Sequence, residues 1–342
     1  MRLAFTAFRR GHLKVVGSVI DEALRRGHQC ALLWQHDDKP GENVLAYELT
    51  ALWPRATTCA MDAVRGERFD AVIGDPSIHA IPGLPDARLY ALDFGWEQRM
   101  RPDLPYITRC WATDVHRGLF LASGPVTGMT ALDAIPLVDP KDVREANGLD
   151  DKPVLLLFSA KLGVPHLWRK TVFKHFWYPS ILHALKDYAK RHGMLLVIKT
   201  REKHHDPELL LRLGDRILDD RDLWPYTSAQ IVTTANLVVH FQSGAIFEAL
   251  AANVPQVSVR LPQPHLEHFT GHDVVFSREP YTMQHWPGVV QAADYKSVVP
   301  LFRDDLVDTA IDPAQRERYA ERYTGPLDGK NACRVLDVVE RG

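Results

Sequence analysis

Long apolar runs are missing from this chain. No stretch of about 18 consecutive apolar residues occurs, so no membrane-spanning helix is expected. Paired cysteines are missing too. The four present, Cys30, Cys59, Cys110 and Cys333, are scattered and make no C-x-x-C. Neither a disulfide framework nor a zinc ribbon is expected, and a reducing, cytoplasmic setting is. No charge of one sign dominates: 41 basic residues stand against 43 acidic ones, a net charge of -2. That argues against a nucleic-acid coat protein, although a basic groove can hide in the average. The opening "MRLAFTAFRRGHLKVV" turns basic too early for a secretory leader and has no small-residue cleavage site after it. Short repeats and low-complexity tracts are absent as well. Histidine is abundant, with 16 copies, but a count assigns no metal site.

What is present is the balance of a soluble globular protein, 46% hydrophobic and 25% charged over 342 residues, long enough for two domains. "LAFTAF" (3–8) reads as a buried strand. "LKVVGSVIDEALRR" (13–26) lines up Val15, Val16, Val19, Ile20, Ala23 and Leu24 on a helical stripe, and Gly27 stops it. "QCALLW" (29–34) is the next strand, and strand–helix–strand predicts a parallel sheet. "RFDAVIGD" (68–75), "RLYALDFG" (88–95) and "GLFLASG" (118–124) are further strand candidates. The proline-rich "AIPLVDPKD" (134–142) reads as a hinge. A second series follows it. "PVLLLFSA" (153–160), "MLLVIKT" (194–200), "LVVHF" (237–241) and "PQVSV" (255–259) are continuous apolar strands, as in sheets covered on both faces. "PSILHALKDYAKRHG" (179–193) is a helix among them. The expected fold class is α/β, two Rossmann-like domains with parallel sheets facing across a cleft. Ligands in such sheets bind beyond the C-terminal strand ends.

The turns at those strand ends carry the candidate chemistry. In "NLVVHFQSGAIFEALAANVPQVSV" (236–259) a strand runs into a Ser-Gly turn and then a short helix. Amides of Ser243, Gly244 and Ala245 at that helix start form an anion site, and Gly244 lets a ligand approach closely. Glu248 lies deep enough to accept two hydrogen bonds from a sugar diol. The plainer alternative makes Ser243 an N-cap and Glu248 a solvated residue. "VIKTREKHHDPELL" (197–210) places Lys199, Arg201, Lys203, His204 and His205 after a strand of the same half, a cluster able to neutralise a diphosphate without a metal. "LLFSAKLG" (156–163) offers Ser159 and Lys161 on a further loop, and either loop could instead be merely solvated. In the first half, His12 at the start of a helix is a candidate base for an attacking hydroxyl. "ALDFGWEQ" (91–98) adds Asp93 and Glu97 as candidate bases or acceptor contacts, with Trp96 beside them.

Four stretches resemble the GT-B superfamily of nucleotide-sugar enzymes. They are "GHLKVVGSVIDEALRRGHQCALL", "GPVTGMTALDAI" (124–135), "SGAIFEALAANVPQVSVR" and "YTGPLDGKNACRVLDVV" (323–339), in the superfamily's order. The resemblance implies an N-terminal acceptor domain over 1–135, a linker over 136–152 and a nucleotide-donor domain over 153–325. It implies a helix over 326–342, carrying Arg334, packed back towards the first domain. On the resemblance Ser243, Gly244 and Glu248 would bind the donor nucleotide, with Lys199 and Arg201 near its phosphates; the reading of the turns adds Ala245, His204, Ser159 and Lys161 to the donor side. His12 would sit where several of the superfamily's glycosyltransferases place an acceptor-side or catalytic histidine, and Asp93 and Glu97 from the strand-end reading complete the catalytic candidates. No permanent cofactor and no metal are implied; a nucleoside-diphosphate sugar, UDP first, is the co-substrate. The superfamily's 2-epimerases carry an Arg-Pro-Glu loop, a Glu-Glu pair on the donor helix and an "HRxEN" segment. Its CDP-glycerol phosphotransferases carry a His-Gly loop late in the first domain. Here the corresponding stretches read "FRRGHLK", a single Glu248, "SAKLGVPHLWRK" and "LDFGWE". Glycosyl transfer to a hydroxyl acceptor is therefore the expected reaction, the acceptor being a glycan, a lipid-linked or small molecule, or modified DNA. A UDP-N-acetylglucosamine 2-epimerase, a CDP-glycerol-type phosphotransferase and a non-catalytic nucleotide-sugar-binding protein are the alternatives.

Overall fold

The continuous apolar strands of both halves pair in parallel and are buried on both faces. The protein is seen in a computed structural model that describes residues 1–7, 9–35, 43–64, 66–74, 87–93, 107–119, 123–159, 176–200, 211–241, 243–260 and 283–342. The first half runs β1 (Arg2–Thr6), α1 (Arg10–Arg25), β2 (Gln29–Trp34), α2 (Ala46–Leu52), β3 (Thr57–Ala60), β4 (Ala71–Gly74), β5 (Arg88–Leu92), β6 (Ile107–Cys110) and α3 (Asp114–Leu119). After a 3-10 helix (Thr130–Leu137) come α4 (Pro140–Ala146), β7 (Val154–Phe158), α5 (Tyr178–Arg191), β8 (Leu195–Lys199) and β9 (Arg216–Leu218). Then follow α6 (Thr227–Val232), β10 (Leu237–His240), α7 (Ala245–Ala251), β11 (Gln256–Arg260), β12 (Val290–Asp294), α8 (Val298–Arg303), α9 (Pro313–Tyr323) and α10 (Asn331–Arg341). Two compact units result. Unit 1 is Met1–Ala134, Leu223–Pro225 and Ala320–Gly342; unit 2 is Ile135–Asp222 and Tyr226–Tyr319.

Unit 1 holds a parallel six-stranded sheet in the order β3-β2-β1-β4-β5-β6, which reverses direction of travel between β1 and β4. Helix α1 starts three residues before the apolar stripe predicts, so Gly11 and His12 lie in its first turn. Its stripe packs Val16, Val19, Ile20 and Ala23 onto Leu3 and Phe5 of the sheet and onto Val335, Leu336 and Val339 of α10. Asp133 holds the start of α10, accepting from the Ala332 amide at 2.7 Å and from Asn331 Nδ2 at 2.9 Å. Burial pushes the Asp133 carboxyl up to about 6 against those hydrogen bonds. The three inserted residues Leu223–Pro225 bring Trp224 onto α1. Its indole covers Gly17, where a side chain would overlap the ring, and donates to Asp21 at 2.7 Å. Trp53 donates to the other Asp21 oxygen at 2.6 Å.

Unit 2 repeats the plan with the order β12-β11-β10-β7-β8-β9, reversing between β7 and β10. Helices α5 and α8 cover one face through Ile181, Leu185, Val298 and Phe302 against Leu155, Leu157, Val239 and Val257. The short helices α6 and α7 pack against each other, and α7 packs on β10 and β11.

One sequence expectation is corrected. Gly118 and Leu119, expected in a strand over 118–124, end helix α3 instead, because the Thr113 hydroxyl accepts from the His116 amide at 3.0 Å and starts a helix; residues 120–122 lie outside the described residues. Helix α4, after the Ala134/Ile135 division, is capped in its first turn by Asp139 accepting from the Lys141 amide. Strands β3, β6, β9 and β12 carry no apolar run and are absent from the sequence reading. All four are sheet edges.

Candidate functional site

In unit 2 the strands end together at one edge, and the order reverses between β7 and β10, where open α/β sheets bind ligands. Ser159 follows β7 at that point. Its amide donates to the Lys199 carbonyl at 3.0 Å, while its hydroxyl is buried with no hydrogen-bond partner among the described residues. The pairing of Leu157 with Val239 brings Ser159 level with Phe241, two residues before Ser243. Ser243 is buried, and its hydroxyl accepts from the Ala245 amide at 3.4 Å. Of the three amides expected to be open, that of Ala245 therefore has a side-chain acceptor, as a plain N-cap would give it. Gly244 is exposed, with an ordinary helical φ of -58°. A Cβ there would meet nothing within 4 Å among the described residues, so neither backbone strain nor packing demands glycine.

Glu248 is not a solvated residue. It is buried in α7, and its Oε1 accepts from the Ser228 hydroxyl on α6 at 3.0 Å. Lys199 is not a solvent-facing cation either. It is 3% exposed, and its ammonium donates to Asp220 at 2.5 Å and to the Thr200 carbonyl at 2.7 Å. The Asp220 carboxylate offsets the charge that the sequence assigned to a diphosphate. Thr200 donates its hydroxyl to Asp219 beside this pair. Arg201, His204 and Lys161 lie outside the described residues, as do Lys203, His205 and Gln242. On the sheet face opposite α5, His240 is fully buried against Gln256 at 3.2 Å. Burial pulls its imidazole down to about 4.

In unit 1, His12 is buried in the first turn of α1, and its amide donates to the Arg9 carbonyl at 2.9 Å. Asp93 follows β5 and is committed to local partners. Its Oδ2 accepts from the Ala112 amide at 3.1 Å and pairs with Nδ1 of His116. His116, in α3, is itself buried and stands edge-on to the Trp111 ring at 5.3 Å. A carboxylate at Nδ1 makes that nitrogen the donor and fixes the imidazole's orientation. The sequence reading passed over His116, whose setting "TDVHRG" signals only a helix start. Glu97 and Trp96 lie outside the described residues. Arg334 closes the turn before α10, donating to both oxygens of Asp328 at 2.9 and 2.5 Å. Among the described residues no three His, Cys, Asp or Glu side chains converge as a metal would require, and no helix is long and apolar enough to cross a membrane.

No protein-family model matches the chain, and no curated protein matches it. Solved structures do. The UDP-GlcNAc 2-epimerase of Methanocaldococcus jannaschii superposes with a TM-score of 0.61 at 12% identity, over 100% of both chains. The UDP-GlcNAc 2-epimerase of Neisseria meningitidis, bound to UDP-GlcNAc, gives 0.55 at 12% identity, again over 100% of both. MurG of Acinetobacter baumannii gives 0.52 at 15% identity over 100% of this chain and 99% of its own. At such identities the likeness speaks of fold alone. Two parallel six-stranded sheets in tandem, each with its strand order reversing at the centre, give this chain the GT-B fold that those enzymes share.

Proposed function

We propose that this protein is a nucleotide-sugar enzyme, and that it moves a sugar from a nucleoside-diphosphate donor to a hydroxyl acceptor. One observation carries the reading: where β7 and β10 part, the buried Ser159 hydroxyl lacks a partner among the described residues and Gly244 keeps room that the fold itself does not need. A diphosphate suits both, since it offers acceptor oxygens to a hydroxyl and to the amides of the Ser243–Gly244 turn. Donors fixed around the leaving diphosphate stabilise the charge that grows there, and in many enzymes such stabilisation lowers the barrier more than any other effect. Because Asp220 offsets Lys199, Ser159 and the turn amides carry more of this task than the basic loop does. Glu248 receives the ribose hydroxyls, and UDP is the leading nucleotide. In unit 1, His12 is the candidate proton acceptor, and Asp93 acts by orienting His116 rather than as the base itself. Four free cysteines agree with a reducing, cytoplasmic setting.

A second reading is favoured by the fold neighbours that are 2-epimerases, one of them with UDP-GlcNAc bound. Incubation with UDP-GlcNAc alone separates the two. An epimerase yields the 2-epimer or a free hexosamine without any acceptor; a transferase needs the acceptor; a binding protein changes nothing. A thermal-shift screen with UDP, CDP, GDP, ADP and dTDP tests the shared premise. An unmoved melting temperature with all five sinks both enzymatic readings.

A further inference from the structure

Besides Ser159, one more buried hydroxyl lacks a hydrogen-bond partner among the described residues, and it is in unit 1. Thr6 is the last residue of β1, the strand at which that sheet reverses its order, and it is 2% exposed. Leu3, Phe5 and Ala7 pack with α1, so Thr6, like Ala4, turns to the opposite face, whose described lining includes the apolar Leu33 and Val72. The β1–β4 register sets it level with Gly74, which ends β4 and brings no side chain. Valine would fill the same volume without an unmade hydrogen bond, which is costly in apolar surroundings. The fold itself does not need this hydroxyl. The start of α1 flanks the same strand end, its N-cap Arg9 lying three residues on, at most about 11 Å of extended chain. Arg9 makes no side-chain cap and the first turn holds no acid, where a hydroxyl or carboxylate residue is the usual choice. The amides of His12 and Leu13 donate to the Arg9 carbonyl. The Gly11 amide has no hydrogen-bond partner among the described residues. Gly11 is exposed, and a Cβ there would meet nothing within 4 Å among the described residues.

We propose that the crevice over the ends of β1 and β4 takes an anionic ligand, a hydroxyl compound bearing a phosphate or a carboxylate. The Gly11 amide donates to the anion, and the Thr6 hydroxyl donates to an oxygen of the same ligand on the other side of the crevice. The anion supplies the negative charge that the first turn of α1 lacks. In the reading above this ligand is the acceptor; the inference rests on that reading for the ligand's role, though not for its binding, and names its class.

Isothermal titration of the full chain tests the proposal, with UDP kept saturating so that unit 2 is occupied. The probes are glucose 1-phosphate, glucuronate and glucose, one skeleton carrying a phosphate, a carboxylate or neither. At least one of the two anions is expected to bind roughly tenfold or more tighter than glucose, the worth of a hydrogen bond to a charged group, and the tighter one tells phosphate from carboxylate. Thr6→Val should weaken that anion about tenfold while raising the melting temperature without ligand by a few degrees, because a methyl replaces an unsatisfied hydroxyl. Thr6→Ser, which keeps the hydroxyl, should hold the affinity within about threefold of the wild type. If the valine variant is unfolded, Gly11→Val takes its place and should weaken the anion at least as much. Equal anion binding by the wild type and the valine variants overturns the proposal. So does a wild type that binds neither anion tighter than glucose, and so does a folded Thr6→Val that melts below the wild type, since the hydroxyl would then serve the fold. If UDP does not bind, the functional reading falls alone, and the anion titration still decides this one.

Discussion

Replacing Gly244 with valine should separate ligand binding from folding. The backbone there has φ -58° and ψ -15°, which any L residue adopts without strain, and a Cβ would meet nothing within 4 Å among the described residues. A non-polar residue at a helix N-cap is worse than glycine by up to about 1 kcal/mol. The stiffer unfolded chain returns about 0.4–1 kcal/mol of that. The melting temperature without ligand should therefore move by only a few degrees. Binding should respond quite differently, because two γ-methyl groups occupy the space a diphosphate would enter. Losing two charge-assisted hydrogen bonds, each worth about 1.5–3 kcal/mol, weakens affinity about a hundredfold or more. A nucleoside diphosphate at a hundred times its dissociation constant stabilises the wild type by about 2.7 kcal/mol. For a unit of this size that is roughly 5–10 °C in a thermal-shift assay. The same concentration given to Gly244→Val should add only about 0.4 kcal/mol, or roughly 1 °C. A variant that keeps the full ligand shift refutes the idea that the ligand approaches over Gly244. A variant whose melting temperature collapses without ligand refutes the claim that the fold does not need glycine there.

Two other outcomes follow from the packing and the titrating groups. Gly17→Ala should destabilise unit 1 by about 1–3 kcal/mol, because the new methyl overlaps the Trp224 indole. At an unobstructed helix interior the same change is stabilising by about 1 kcal/mol, so the sign seen in urea unfolding decides whether Trp224 covers α1. Acidification should divide the two units. His240, pulled down to about 4 by burial, is protonated first in the unfolded chain, so its stabilisation of unit 2 is complete above about pH 6.5 and is lost as pH falls towards 4. Asp133, pushed up to about 6 by burial, ionises first in the unfolded chain, so its contribution to unit 1 is greatest below about pH 3.8 and is lost as pH rises through 6. Each effect is worth roughly 3 kcal/mol. Hydrogen exchange on peptides of β10 and of α1 at pH 6.5 and pH 4.5 should show protection falling in the first relative to the second. His240→Asn should flatten the trend in unit 2, and parallel behaviour of the two units contradicts the assignment.

By itself the sequence determined the interior of both sheets. β1, β2, β4, β5, β7, β8, β10 and β11 are all interior strands, covered on both faces, and burial on both faces is what writes a continuous apolar run. The stripe on α1 and the Ser-Gly turn before α7 are equally local, since a helix stripe and a cap lie within a few neighbouring residues. Tertiary structure alone decided the edges. β3, β6, β9 and β12 have a strand on one side only and tolerate polar residues such as those of "TTCA" and "VQAAD", so no periodicity announces them. It also decided what each charged candidate does. Lys199 meets Asp220, Glu248 meets Ser228 and Asp93 meets His116 across gaps of 21, 20 and 23 residues. A carboxylate or an ammonium takes its role from its partner, and the fold rather than the neighbouring sequence brings partners that far apart together.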